Sequence, residues 1–445
     1  MSTKKAIHYL ILIAIIATTY VFPAPEGLTN IGWHLAGIYI ATIIAIILKA
    51  FPLPVILLAG VSLASIAIGI APDEQWFDNE AQKAVDVALK EKDVLNGYKS
   101  STTWLVFAAF AMSTAFVATG LGKRIAYLLI GKLGSTTLRL GYVNACLDLL
   151  ISPAMPSVTA RAGGIIFPIM NSVAVSLGSE PDTSPRKAGR YLLLNTYMVV
   201  KTTGYFFITA MAPNMLAMEL IGKVYGKSHP FLLDWGQWFY AASIPGLICL
   251  FLTPLLVYVL CPPELKQLDN KAIAKKGLEE LGPMTIREKT LLGLFILAVV
   301  SWALGKYIGI KEASTTAISI MTLLVILGVL AWDDLLKNKG AWNTLVWYGG
   351  LLGLSGVLEK AHFFDWLSAT MQANLNFGGI DSTIATIIIL FMSVAVRYLF
   401  ASGGAYIAAM VPVFAAVGLA AGADPTLLAL GLLFSNCYGG ALTHY

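Results

Sequence analysis

The chain is short of charge for its length. Asp, Glu, Lys and Arg make up only 12% of its 445 residues, whereas apolar residues make up 57%. Soluble globular proteins carry roughly 25% charged residues, and so few polar groups cannot cover so much apolar surface in water. The mean hydropathy of +0.75 agrees with this. The composition therefore predicts an all-α polytopic membrane protein whose main solvent is lipid.

The chain also lacks the motifs of cofactor, metal, nucleotide or nucleic-acid chemistry. Its four cysteines are scattered, which argues against a disulfide framework or a zinc site. No Gly-x-x-x-x-Gly-Lys-Ser/Thr phosphate-binding loop occurs, which argues against a pump driven by ATP hydrolysis. A net charge of +5 is small for this length and gives nucleic-acid binding no support. We therefore expect no cofactor, no metal and no nucleic-acid partner, and no nucleophile–base arrangement predicts an enzyme.

Apolar runs of about 20 residues predict the membrane spans. The first run follows Lys4 and Lys5 and lacks a good cleavage pattern, so it is interpreted as a span and not as a signal peptide. The spans are expected near 6–22, 32–49, 52–71, 101–121, 190–221, 235–260, 288–308, 312–331, 342–360 and 425–445.

Two further apolar stretches, 138–178 and 382–420, are each broken by proline and glycine near the middle. Broken helix at membrane depth is tolerated only inside protein or beside a watery cavity. Both stretches therefore predict re-entrant hairpins.

The charges of the loops orient the spans. Basic residues dominate on one side, most of all in the linker 262–289, whereas the loop 73–99 is rich in acids. The basic side is expected to be cytoplasmic. This places the protein in a bacterial inner membrane with its N-terminus in the cytoplasm. The loops alternate correctly between the two sides of the membrane only if each hairpin returns to the side from which it entered.

The two halves of the chain resemble each other. Trp104-Leu105-Val106-Phe107 and Thr344-Leu345-Val346-Trp347 each head a span, and a broken hairpin follows about fifty residues later in both cases. We expect scaffold helices and a loop over 1–100, a first repeat over 101–261, the linker 262–289 and an inverted second repeat over 290–445. Inverted repeats with paired discontinuous helices are typical of secondary transporters.

The hairpin tips carry the residue types that bind anions. Pro156 blocks the incoming helix, so a second half-helix can begin at Ser157 and present free amides and the positive end of its dipole. Ser157, Val158 and Thr159 would then face a carboxylate. Ser402, Gly403 and Gly404 are the matching residues of the second tip, where glycine lets backbone approach a ligand. The alternatives are a proline kink with local caps at the first tip and tight helix packing at the second.

Basic side chains lie in apolar sequence near these breaks: Arg161, Lys201, Arg397 and His444. A central Lys or Arg costs roughly 2.5–3.5 kcal/mol even on the lenient insertion scale. Some of them can pair with Asp148, but one acid cannot neutralise three cations. The surplus positive charge predicts an anionic substrate.

A proline-broken stretch in each half completes the candidate site. Pro213 should unwind the helix locally and place the amide of Asn214 near the first tip. The counterpart in the second half runs from Ser435 to His444 and includes Thr443.

These motifs together resemble the divalent anion:sodium symporter (DASS) family. The likeness lies in 156–161, 401–406 and the ending Gly440-Ala441-Leu442-Thr443-His444-Tyr445, and it extends over nearly the whole chain. The branch it most resembles holds citrate/succinate antiporters and 2-oxoglutarate/malate translocators. The resemblance implies two re-entrant hairpins, a homodimer, and an elevator motion of a transport domain against a scaffold domain. It also implies a further span beyond Tyr445.

The chain departs from the family at the hairpin tips. Family members carry Ser-Asn-Thr at both tips, and those residues help bind sodium and substrate carboxylates. Here Val158 replaces the first asparagine, and at the second tip only Ser402 matches. The resemblance and these departures favour sodium-independent exchange of di- or tricarboxylates such as succinate, malate, 2-oxoglutarate or citrate. Sodium-coupled symport and an anion channel remain the alternatives.

Overall fold

The computed structural model describes residues 3–78, 83–226, 229–310, 312–374, 381–400 and 402–441. The protein is almost entirely helical in these ranges. Up to residue 226 the helices are α1 Thr3–Val21, α2 Asn30–Ile47, α3 Leu53–Ile70, α4 Asn96–Lys99, α5 Ser101–Thr119, α6 Leu121–Leu133, α7 Thr137–Ile151, α8 Val158–Arg161, α9 Phe167–Ser176, α10 Gly189–Thr203 and α11 Ala212–Tyr225.

The remaining helices range in length from 6 to 26 residues. They are α12 Trp235–Leu260, α13 Asn270–Leu281, α14 Ile286–Ile308, α15 Ala313–Ile326, α16 Trp332–Lys337, α17 Lys339–Lys360, α18 Phe363–Asn374, α19 Ser382–Val396, α20 Gly403–Ala420 and α21 Pro425–Tyr438. Within the described ranges, eight helical segments are long and apolar enough to cross a bilayer. The chain is therefore a multi-pass membrane protein.

Both predicted breaks are confirmed. The first apolar stretch stops at Ile151, passes through a short 3₁₀ turn at Ser152–Ala154, and restarts at Val158. From there a π-helical turn at Ala162–Ile166 joins α8 to α9. The second stretch stops at Val396, passes through a 3₁₀ turn at Arg397–Leu399, and restarts at Gly403.

Besides the short α4 and α16, three helices of 12 or 13 residues and one sheet were not expected from the sequence. α6 and α18 follow predicted spans, and α13 lies in the linker that was interpreted only as polar. None of the three has an apolar run of membrane length, so a search for spans passes over them. The acidic loop contains an antiparallel pair, β1 Gln75–Asp78 and β2 Lys83–Asp86, in an otherwise helical protein.

The chain forms two compact units. Unit 1 contains residues 1–104, 215–232 and 342–445, and unit 2 contains 105–214 and 233–341. In unit 1, α2 packs on α20, and the hydroxyl of Tyr39 donates to the carbonyl of Ala408 at 2.7 Å. In unit 2, α10 packs on α7, α9 and α12, and the Arg124–Glu288 ion pair joins α6 to α14 at 2.6 Å. The first hairpin belongs to unit 2 and the second to unit 1.

Candidate functional site

The first hairpin tip places a serine at the start of a helix. Ser157 is the N-cap of α8, and its Oγ accepts a hydrogen bond from the amide of Ala160 at 3.2 Å. The amides of Val158 and Thr159 come before the first intrahelical bond and have no protein acceptor within the described ranges. Thr159 is exposed, and Ser157 and Val158 are half-buried. The tip therefore presents two amides and the positive end of a helix dipole to its surroundings.

Arg161 lies one turn beyond this tip and is fully buried. Its Nε donates to Oδ1 of Asp148 at 2.5 Å, and its Nη1 donates to the carbonyls of Met155 and Ala210, each at 2.9 Å. Nη2 donates to the hydroxyl of Thr203 at 3.3 Å. Among the basic side chains that were expected to compete for Asp148, Arg161 is therefore the one that this acid balances. This arginine also joins the tip to the segment that contains Ala210.

That segment is an interruption between α10 and α11, which confirms a break in the stretch 190–221. The break covers 204–211 and lies upstream of Pro213, not at it. Pro213 occupies the first turn of α11, where a missing N–H costs nothing. The amide of Ala212 donates to the carbonyl of Pro156 at 2.8 Å, so the interruption is fixed to the hairpin tip.

Asn214 stabilises the interruption by hydrogen bonds to its main-chain carbonyls. Its Nδ2 donates to the carbonyl of Gly204 at 2.8 Å and to that of Phe207 at 3.3 Å. The side chain is fully buried, and its Oδ1 accepts no hydrogen bond in the part of the chain that the structure describes. The side-chain nitrogen of Asn214 therefore stabilises the loop, and its side-chain oxygen can still accept a hydrogen bond.

Lys201 lies near the end of α10, two residues before Thr203. It is half-buried, and its Nζ lies over the ring of Tyr197, 5.2 Å from the centroid. A cation–π contact of this kind holds an ammonium group without removing its charge.

The second tip has the same local geometry as the first. Ser402 is the N-cap of α20, and its Oγ accepts from the amide of Ala405 at 3.2 Å. Gly403 and Gly404 occupy the first two helical positions and are half-buried. A Cβ built on Gly404 would meet only the ring of Trp347, at 3.7 Å. Crowding therefore does not require glycine at this position.

Arg397 precedes the second tip and is buried, with 2% of its surface exposed. Its Nη1 donates to the carbonyl of Ser435 at 3.1 Å, and its Nη2 donates to the carbonyl of Asn436. The guanidinium lies over the ring of Tyr406, 4.7 Å from the centroid. Since Tyr406 is in the first turn of α20, these contacts fix the cation beside the start of that helix.

Two predicted residues, Thr443 and His444, lie outside the described residues. The structure describes their segment up to Ala441. Near the end of α21, Asn436 is buried, and neither polar atom of its side-chain amide has a hydrogen-bond partner in the described ranges.

The sequence did not single out Thr203 or Tyr406. The hydroxyl of Thr203 donates to Oδ2 of Asp148 and contacts Arg161, whereas Tyr406 supports Arg397. The signal for Thr203 was the lone acid Asp148 in apolar sequence, which needs hydroxyl donors as well as a cation. The position of Tyr406, one turn after an N-cap, gives no such signal.

Known proteins resemble this chain over nearly its whole length. The family model described as "sodium:sulfate symporter transmembrane region" matches residues 3–445. The inner membrane protein YbhI of Escherichia coli is 53% identical over 99% of this chain and 89% of its own length. The putative malate transporter YflS of Bacillus subtilis is 38% identical, covering 100% and 88%. The L-tartrate/succinate antiporter of E. coli is 34% identical, covering 93% and 83%.

The fold is also similar to that of a solved transporter. The YdaH transporter of Alcanivorax borkumensis superposes with a TM-score of 0.51 over 86% of both chains, at 10% sequence identity.

Proposed function

The chain belongs to the sodium:sulfate symporter family, the divalent anion:sodium symporters that its hairpin motifs resemble, and on that premise we propose that it exchanges small dicarboxylates or tricarboxylates across the bacterial inner membrane. Membership of this family makes it a membrane transporter and not an enzyme. The proposed substrates are of the succinate, malate, 2-oxoglutarate and citrate class. The named activities of YflS and of the tartrate/succinate antiporter support that class.

The observation that carries the proposal is the pair of serine-capped helix starts beside fixed cations. Each start presents amides that lack protein acceptors in the described ranges, and an N-terminal helix dipole stabilises a carboxylate there. Arg397 is fixed beside the second start by two main-chain carbonyls and an aromatic ring. Lys201 adds a charge near the interruption to which the first tip is bonded.

The proposed substrate-site residues are the two cations Lys201 and Arg397, together with Ser157, Val158, Thr159, Pro213, Asn214, Ser402, Gly403, Gly404, Thr443 and His444. Arg161 is proposed to position the first tip and not to contact substrate, because its side-chain donors are directed at Asp148, Thr203 and two carbonyls.

We propose that the exchange does not require sodium. Neither tip carries the asparagine of the family's Ser-Asn-Thr pattern, so a side-chain oxygen that helps bind sodium is absent at both. Lys201 and Arg397 supply positive charge that sodium would otherwise bring to a dianion.

The same charges favour exchange over uniport. A site with fixed cations is costly to move through the bilayer when it is empty, whereas a bound dianion neutralises it. We propose that this movement is an elevator motion of a homodimer, with the N-terminus in the cytoplasm.

Counterflow in liposomes tests the proposal. The purified protein is reconstituted, loaded with unlabelled succinate, and mixed with labelled succinate in sodium-free buffer. We expect accumulation of label that depends on internal dicarboxylate and is unchanged by a sodium gradient.

Uptake that needs a sodium gradient and no internal substrate would instead identify a symporter, as the family name suggests. Large currents without stoichiometric exchange would identify an anion channel.

A further inference from the structure

A polar cleft lies in unit 2 where the first hairpin ends, between α6, α9 and α13. Its volume is about 270 Å³, and small-ligand sites begin at roughly 300 Å³. The polar side chains that line it are those of Tyr127 on α6, Ser172 and Ser176 on α9, and Lys276 and Glu280 on α13. None of them belongs to the proposed substrate site.

The cleft has fixed walls, because α13 packs closely on α6. A Cβ on Gly277 would lie 2.4 Å from the ring of Tyr127, so only glycine allows this contact. One turn away, a Cβ on Gly131 would lie 2.9 Å from Cβ of Ala274. The Nδ2 of Asn270 donates to the carbonyl of Gly131 at 2.8 Å. The linker helix α13 is therefore fixed to α6, and the cleft lies between packed helices.

The cleft lies at one end of a membrane-embedded helix. The apolar segment Val158–Ser176 is long enough to cross a bilayer, and its last residue lines the cleft. Gly178, with φ +70°, then turns the chain, and its amide donates to the carbonyl of Val175 at 2.8 Å. Ser172 and Ser176 are one turn apart near this end, and both are exposed. The end of a membrane-embedded helix is where lipid headgroups lie.

Exposed apolar side chains border the polar groups. Val175, on the same side of α9 as Ser172, is 42% exposed, and Leu128, next to Tyr127 on α6, is 47% exposed. Polar groups beside exposed apolar ones are typical of the boundary between headgroups and acyl chains. The cleft therefore fits a ligand with a charged end and an apolar part beside it.

The cleft offers one positive and one negative side chain. Lys276 and Glu280 are exposed and one turn apart on α13, but they form no ion pair within the described ranges. By contrast, Lys275 and Glu279, one position earlier on the same helix, pair at 3.9 Å.

These two charges select the chemistry of the ligand. The ammonium group of Lys276 donates to a phosphate, whereas the carboxylate of Glu280 accepts from an ammonium group. A headgroup that carries only a phosphate leaves Glu280 without a partner, and a quaternary ammonium group has no N–H to donate to it. A zwitterionic headgroup with a phosphate and a primary ammonium group satisfies both residues.

We propose that this cleft binds a phospholipid of the phosphatidylethanolamine type. Its phosphate lies at Lys276 and the neighbouring hydroxyl groups, its ammonium group lies at Glu280, and its acyl chains run along Val175 and Leu128. Because the headgroup contacts three helices at once, it stabilises the packing of the linker helix α13 against the end of the first hairpin.

Native mass spectrometry of the delipidated protein tests this without any transport assay. Phosphatidylethanolamine, phosphatidylglycerol and phosphatidylcholine with the same acyl chains are added in turn, and bound lipid is counted. Glycerophosphoethanolamine and inorganic phosphate, which have no acyl chains, distinguish a lipid from a soluble ligand. Lys276→Gln and Glu280→Gln change the cleft. Lys275→Gln and Glu279→Gln are the matched controls, and thermal unfolding confirms that all four variants are folded.

We expect one phosphatidylethanolamine to bind more tightly than either other lipid, and far more tightly than the two compounds without chains. Its affinity should fall about fivefold in each cleft variant, because one charge-assisted contact is lost, and should be unchanged in the controls. The proposal is overturned if the three lipids bind alike or not at all, or if cleft and control variants lose affinity equally. Binding of glycerophosphoethanolamine or phosphate as tight as that of the whole lipid also overturns it.

Discussion

Two buried arginines lie near the hairpin tips, and they are held in different ways. Arg161 is neutralised by Asp148, with Thr203 bonded to both. Arg397 is held by the carbonyls of Ser435 and Asn436 and by the ring of Tyr406. These contacts orient the guanidinium of Arg397 beside the start of α20. We therefore propose that Arg161 positions the first tip, and Arg397 stays the proposed anion ligand of the second.

Removing the acid that balances Arg161 should destabilise the fold. Asp148→Asn leaves a buried guanidinium uncompensated, which typically costs about 3–5 kcal/mol. Thermal unfolding in detergent should show a large fall in Tm. The double change Asp148→Leu with Arg161→Met should fall less, because it leaves no unpaired charge. Equal losses in both variants would contradict this account of the pair.

Arg397→Lys should impair transport more than stability. A lysine keeps the charge but loses the planar contact with Tyr406 and one of the two carbonyl bonds. We expect the KM for succinate exchange to rise about tenfold, which corresponds to about 1.4 kcal/mol. Arg139→Lys, at an exposed arginine of the first hairpin, is the control and should behave as wild type. An unchanged KM in Arg397→Lys would remove this residue from the substrate site.

Residue roles were only partly predictable from the sequence. Lone charges in apolar segments identified Arg161, Arg397 and Asp148, because such charges are expensive wherever they lie. Which cation Asp148 neutralises depends on contacts between residues 13 and 55 positions apart. No local pattern encodes that choice.

At the scale of elements, the two tips share one local design. A 3₁₀ turn ends each incoming helix, and a serine then caps the outgoing helix through the amide three residues on. N-cap loss usually costs about 1 kcal/mol. The backbone of each tip is thus stabilised by a hydrogen bond to its own serine side chain.

Gly404→Ala separates packing from ligand contact at the second tip. The added methyl meets only Trp347, at 3.7 Å, so the protein should fold with an unchanged Tm. If substrate approaches this backbone, KM for exchange should rise severalfold. Gly163→Ala, where nothing lies within 4 Å, is the control, and an identical KM in both variants would argue against a ligand at Gly404.

The ion pair between Asp93 and Lys360 fixes the acidic loop to the end of α17. Burial alone raises the pKa of Asp93, but hydrogen bonds from Lys360 and the amide of Lys90 outweigh it and hold that pKa below its usual value. A carboxyl group whose pKa is lower in the folded state stabilises the fold at pH values above its unfolded-state pKa. This stabilisation is lost as the pH falls through the folded-state pKa.

Lys360→Met should therefore lower Tm modestly at neutral pH, by the equivalent of up to about 1 kcal/mol, since Lys360 is half-exposed. The difference from wild type should shrink below about pH 3. Thermal unfolding at a series of pH values checks this, and a difference that persists in acid would contradict the assignment.

Long apolar elements were predictable because burial in lipid requires an uninterrupted run of about 20 residues. The helices α6, α13 and α18 were not, because their lengths of 13, 12 and 12 residues do not reach across a bilayer. The break before Pro213 was placed a few residues too late, since proline is compatible with the first turn of a helix and does not by itself mark where the preceding one ends.

At the scale of the whole molecule, the low charge of the chain determined the class, and the paired breaks indicated a transporter. The compact units do not follow the predicted sequence halves: unit 1 combines 1–104 with 215–232 and 342–445. Sequence order shows which segments resemble each other, whereas contacts between distant helices decide which of them pack together. The division into inverted repeats therefore stays a prediction from the sequence, and the two compact units do not test it.

Binding of labelled succinate to the purified protein in sodium-free buffer tests most directly whether capped helix starts and fixed cations form an anion site. We predict saturable binding that malate displaces and the monocarboxylate butyrate does not, and that weakens about tenfold in Arg397→Lys. Absence of saturable binding, or binding that appears only when sodium is added, would contradict the account.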